Sequence, residues 1–161
     1  TPAIAPCCRN DKNAACSGCL NFNEGTAMQW KEEYALGIAE IDSQHQNLFR
    51  LFGYIADSIT HKERWSHTHF GLVQLREFAR VHFAVEEALM RLFGWEGSEG
   101  HEQDHLHFFV RLDEIERRSL TENISGEMVS FLEGWLTSHI LVTDKAYARH
   151  ILSGAPVVVS F

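Results

Sequence analysis

No stretch of the chain approaches the roughly 20 consecutive apolar residues needed to cross a bilayer, so no spanning helix is expected. No basic run of useful length appears either, and the formal net charge is −8. Both facts argue against a protein that grips a phosphate backbone. Only three prolines occur in 161 residues. No alternating strand pattern is longer than the C-terminal APVVVSF, and no tandem repeat is present. A positively charged, apolar signal segment is not visible, although one already removed would leave no trace. What remains is an ordinary globular composition, 45% hydrophobic, long enough for one domain with a sizeable core.

All four cysteines (Cys7, Cys8, Cys16 and Cys19) fall within residues 1–29, among Asn, Ala, Gly and Ser, with no helical period. This stretch reads as an irregular arm, with residues 30–161 forming the folded unit. The arm allows a small metal knuckle, two disulfides, or a redox-active dithiol. A disulfide-tied or flexible arm is the preferred reading. The expected compartment is the cytoplasm, with the periplasm or another exported location as the alternative if disulfides form.

From Trp30 onward four long amphipathic runs follow with few breakers. The first comes after EID, where Asp42 can cap or enter a helix, and repeats Ile38, Ile41, His45, Leu48, Phe49 and Phe52. The second spans roughly Ser66 to Phe93. After the turn GWEGSEG, the third is HEQDHLHFFVRLDEIERR, and the fourth runs from about Glu122 to Val142. DKAYARHI adds a short fifth helix. The expected fold is all-α, an up-down-up-down four-helix bundle with an irregular N-terminal arm and a short C-terminal helix.

Each of the four runs carries histidine on its apolar stripe: His45, His82, the pair His101 and His105, and His139. Glu86 shares the stripe of His82, since a four-residue step is only about 40° round, whereas Glu87 is about 140° round. His105 is favoured over His107 as the partner of His101, because a six-residue step lands about 120° away. Asp144 follows His139 by five residues, poor spacing on a continuous helix, so the fourth helix is expected to end or kink between them. His61, His67, His69 and His150 lie near helix ends and are expected to be solvated.

For any one such histidine, a hydrogen-bonded core residue is the ordinary explanation. Four helices placing imidazole and carboxylate at one bundle centre are what a metal site requires, because a cation neutralises charge that is costly to bury. Five histidines and two carboxylates exceed the needs of four-coordinate zinc. Two six-coordinate ions bridged by Glu86, Asp144 and a solvent oxygen would use them, and imidazole with carboxylate and no thiolate suits iron among first-row metals.

The stretches WKEEYALGIAEIDSQHQNLF (30–49), HFAVEE (82–87), HEQDHLHF (101–108) and WLTSHILVTD (135–144) together resemble hemerythrin, especially the bacterial hemerythrin-like proteins. By that resemblance His101, His105 and His139 would hold one iron, and His45 and His82 the other, with Glu86 and Asp144 bridging. The resemblance implies that dioxygen binds at an open position on the second iron, in a dry pocket formed by Leu48, Phe83, Trp135, Leu136 and Ile140. Plain core packing is the competing explanation for each of those five. The link ADSITHKERWSHTH reads as long for the family, and the cysteine-bearing arm is not part of its pattern.

The leading expectation is a reversible dioxygen-binding module serving transport, storage or sensing, and not an enzyme. The alternative is a di-iron enzyme acting on peroxide or nitric oxide, or oxidising a substrate. Ferritin-like oxidases carry two Glu-x-x-His motifs; here Glu102 and His105 give one by spacing, and Glu102 points off the stripe. Any redox or signalling partner, or output domain, would lie outside this chain.

Overall fold

Ile41, His45, Leu48, Phe49, Phe52 and Ile55 recur at three- and four-residue steps, which stack side chains on one helix face. A computed structural model, which describes residues 29–154, buries all six on α1 (Ala39–Thr60). The same periodicity builds α2 (Trp65–Leu92), α3 (Ser98–Ser119) and α4 (Ser125–Ser138). A π-helical turn (His139–Asp144) leads from α4 into α5 (Lys145–Leu152). Among the described residues there is no strand, and no helix is long and apolar enough to cross a membrane.

Helix α1 packs on α2 and α4, and α3 packs on the same two, which closes the four into a bundle. The links at 61–64, 93–97 and 120–124 are short, as antiparallel neighbours require. The stretch that looked like a long first link is mostly helix: α1 runs on to Thr60 and α2 starts at Trp65. Most of its polar residues do not break the helices, because they sit on solvent-facing positions. Ser58 and Thr68, both buried, close this end with hydroxyls 2.8 Å apart. Gly71 allows the two helices to approach there, since a Cβ at that position would come within 2.8 Å of Ile55 Cγ1.

The opposite end positions the site. Asp42 does not cap α1; its carboxylate accepts hydrogen bonds from the backbone N–H of Leu36 (2.7 Å) and Gly37 (3.1 Å). Gly37, at φ +87°, supplies the left-handed turn that lets the preceding segment fold back. Trp30 and Tyr34 then pack with Phe49 of α1, and Lys145 Nζ donates to the Glu33 carbonyl at 2.6 Å. Arg76 pairs with Asp113 and Glu116 between α2 and α3, and Arg111 and Arg118 both reach Glu127 between α3 and α4. The cysteine arm, the 29/30 boundary expected for it, and the tail APVVVSF lie outside or at the edge of the described residues.

Candidate metal centre

The apolar stripes of the four helices converge near the end of the bundle closed by α5, and they bring their polar members with them. His45 comes from α1, His82 and Glu86 from α2, His101 and His105 from α3, and His139 and Asp144 from the π turn. All seven are between 0% and 4% exposed. The carboxylates lie at the centre. Glu86 Oε2 is 3.5 Å from His82 Nε2, 3.7 Å from His101 Nε2 and 3.3 Å from His105 Nε2, while its Oε1 is 3.7 Å from His45 Nε2. Asp144 Oδ1 is 3.3 Å from His101 Nε2 and 3.1 Å from His139 Nε2, while Oδ2 is 3.3 Å from His45 Nε2. Two groupings emerge in which one potential ligand atom per residue lies within 4.8 Å of every other: Glu86 with His101, His105 and His139, and Glu86 with His45 and His82.

Asp144 joins the centre by a route different from the expected break. On a continuous α-helix a five-residue step lands about 140° round. In a π turn, with its i→i+5 bonds, the fifth residue returns beneath the first. The chain stays helical from Ser125 to Leu152 and widens only at His139–Asp144.

Buried polar groups normally find hydrogen-bond partners, and several here do not. His45 Nδ1 and Nε2, His101 Nδ1 and Nε2, Glu86 Oε2 and both Asp144 oxygens are orphaned. Two carboxylates in a closed apolar interior are costly unless a cation lies among them. An Nε2-directed imidazole set with two carboxylates and orphaned lone pairs fits first-row divalent metals, iron included.

Without a metal, protons take over part of that role. Burial works to lower the pKa of His45, but the neighbouring carboxylates of Asp144 and then Glu86 overcome it and push it up to about 9. His82 is carried the other way by burial, down to about 4. Burial opposes ionisation of Glu86, yet the surrounding imidazoles hold its carboxyl well below the usual range. Asp144 is likewise held low by His139 and His45 against burial and the charge of Glu86. His139 is raised, Asp144 outweighing burial.

Three residues around this centre escaped the sequence reading. Nδ1 of His82 donates to Gln44 Oε1 at 2.9 Å, and Nδ1 of His105 to Glu87 Oε1 at 3.0 Å. Each bond engages Nδ1 and leaves Nε2 facing the carboxylates, the arrangement by which an outer carboxylate or carbonyl orients a metal-binding imidazole. Glu87 is thus off the ligand stripe, as its angle required, yet it acts on the site. The Tyr147 hydroxyl donates to Glu86 Oε1 at 2.8 Å, and burial followed by the charge of Glu86 raises its pKa. The sequence signal for Tyr147 was its place one turn beyond Asp144; Gln44 and Glu87 were each one residue off a candidate ligand.

The five residues expected around a pocket all join the core, with Leu48, Phe83, Leu136 and Ile140 buried and Trp135 partly so. Phe83 stacks on His105 with centroids 3.8 Å apart and planes 5° from parallel, and Trp135 stacks on His139 at 4.3 Å and 16°. These rings therefore lie against the three-histidine group, while Phe83 also borders His82 at 5.6 Å. His107 is exposed and Glu102 turns outward to Arg91. His61, His67 and His69 are exposed as expected, but His150 is half-buried, its Nε2 donating to the Phe93 carbonyl at 2.8 Å. Its helix end is docked against the end of α2, which removes the solvent assumed for it.

Comparison with known proteins agrees with this arrangement. Residues 36–151, well over half of the chain, match the family described as the hemerythrin HHE cation binding domain. A bacteriohemerythrin of Clostridium acetobutylicum is 27% identical over 73% of this chain and 96% of its own length. Another, from Pseudomonas aeruginosa, is 30% identical over 77% of this chain and 83% of its own. A myohemerythrin of Riftia pachyptila is 24% identical over 82% of this chain and its entire length. With that match added to a four-helix bundle whose helices converge on buried histidines and carboxylates, the chain belongs to the hemerythrin family.

Proposed function

We propose that the chain binds two iron ions and, through them, dioxygen reversibly, as a carrier, store or sensor module. His101, His105 and His139 would hold one iron and His45 and His82 the other, with Glu86 and Asp144 shared. One observation supports this reading: each carboxylate faces both histidine groups. Asp144 turns Oδ2 to His45 and Oδ1 to His101 and His139, and Glu86 approaches His45 through Oε1 and His82, His101 and His105 through Oε2. A single cation would leave one half of that set unused.

Iron here would supply electrons and a coordination position for dioxygen. The chain supplies the rest. Three imidazoles on one side against two on the other leave the two-histidine side with fewer protein ligands, the condition for an exogenous ligand to enter. Gln44 and Glu87 hold His82 and His105 in the tautomer that presents Nε2. Tyr147 holds one oxygen of Glu86. Leu48, Phe83, Trp135, Leu136 and Ile140 would form the dry wall that keeps water and stray protons from the centre.

Stopped-flow spectroscopy on the reduced, iron-loaded chain separates binding from turnover. A visible band that forms with oxygen, persists, and vanishes when oxygen is removed supports the proposal. Immediate, irreversible conversion to the oxidised form would instead favour an enzyme consuming peroxide or nitric oxide.

A further inference from the structure

His82 and His105 each have the outer ring nitrogen held by a side chain, and the two holders differ in charge. From α2, the Glu87 carboxylate accepts the Nδ1–H of His105 at 3.0 Å. It is 26% exposed, and among the described residues no lysine or arginine pairs with it. Its negative charge is therefore directed at the imidazole. Phe83 stacks on that ring with centroids 3.8 Å apart, an apolar neighbour beside which a charge is poorly screened.

From α1, Gln44 Oε1 accepts the Nδ1–H of His82 at 2.9 Å. The amide is oriented from its other side, since Gln44 Nε2 donates to Glu40 Oε1 at 3.3 Å, one turn back on the helix. His82 is thus held by a neutral carbonyl. The charge of Glu40 lies one amide further out, at an exposed position where solvent and salt screen it.

A carboxylate on the outer nitrogen makes imidazole a more basic metal ligand. A more basic ligand favours the more highly charged state of the metal and lowers its reduction potential. A neutral carbonyl in the same place does less, because its hydrogen bond lacks the charge. The two histidine groups therefore differ in more than number. His105 belongs with His101 and His139, and His82 with His45.

We infer that Glu87 gives the centre a redox polarity: acting through His105, it lowers the reduction potential of the three-histidine side, while Gln44 leaves the two-histidine side higher. The inference rests on the paired-iron reading above and adds an order of oxidation to it. The first electron leaves the iron beside His105 and the second the iron beside His82, each passing from ferrous to ferric as one electron goes to the oxidant. Glu87 and Gln44 are positioning residues here, since both act through an imidazole.

The test is a stepwise anaerobic titration of the full, iron-loaded chain with ferricyanide, followed by visible absorption and electron paramagnetic resonance, with metal analysis on the same samples. Glu87→Gln keeps an oxygen for the Nδ1–H and removes the charge. It is expected to raise the first step by about a tenfold change in the ferric-to-ferrous ratio, about 59 mV for one electron. Gln44→Glu is expected to lower the second step by about the same amount, so both variants draw the two steps together. Glu102→Gln is the charge control, one residue from His101 but paired outward with Arg91, and should leave both steps near the parent values. Two irons per chain with the first step unmoved in Glu87→Gln, or moved as far by Glu102→Gln, would overturn the polarity alone. So would a gap that widens in Gln44→Glu, which decides the order even if Glu87→Gln fails to load. One iron per chain in the parent would overturn the paired-iron reading and the polarity with it.

Discussion

Glu87 and His105 are joined across the α2–α3 interface by a 3.0 Å hydrogen bond from Nδ1 to Oε1, although Glu87 sits on the flank of α2 that the ligand stripe excludes. Outer partners of this kind tune affinity without touching the metal. Glu87→Ala is therefore expected to weaken metal binding about 10- to 100-fold while leaving the stoichiometry unchanged. Glu86→Ala should lose or scramble the metal. Competitive chelator titration distinguishes the two, and equal behaviour would mean that the division between ligand and orienting residue is wrong.

Tyr147→Phe keeps the ring that packs against His101 and Trp95 but removes the hydroxyl on Glu86. A buried carboxylate oxygen then loses its partner, which costs about 1–3 kcal/mol. Urea unfolding of the metal-free protein measures this. A change well below that range would show that Glu86 Oε1 finds another donor.

The metal-free protein should have a stability optimum near the ordinary histidine pKa of 6.5. His45, raised to about 9, contributes stability that is full below 6.5 and lost as pH rises through 9. His82, lowered to about 4, contributes stability that is present above 6.5 and lost as pH falls through 4. Glu86 and Asp144, both lowered, add to the loss on the acid side. Metal must displace the proton on His45, so loading at neutral pH should release protons and tighten towards pH 9. Thermal melts across pH, and calorimetry in buffers of different ionisation enthalpy, check the two halves.

Removing residues 1–25 should leave iron content and melting temperature unchanged, because the arm is expected to be separate from the unit at 30–161. Loss of iron from the shortened chain, measured by metal analysis, would make the arm structural.

Six of the seven candidate ligands were legible because α-helical angle arithmetic applies to them: His45, His82, Glu86, His101, His105 and His139 all recur on buried stripes. Asp144 was reached only by supposing that the helix ends or kinks after His139, since a π turn has no distinct sequence period. Gln44 and Glu87 were hidden for a geometric reason. The second nitrogen of an imbedded imidazole points sideways from the stripe, so its partner comes from a neighbouring helix at a position that amphipathicity assigns to solvent. The first link was read as too long because polar residues such as Thr60, Ser66 and His67 are equally at home on the exposed end of a helix.

Anaerobic iron loading followed by metal analysis tests the paired centre most directly. The expected result is two irons per chain, retained together through desalting and both lost or disordered when Glu86 becomes alanine. One tightly held zinc per chain, or a single iron unaffected by Glu86→Ala, would contradict it.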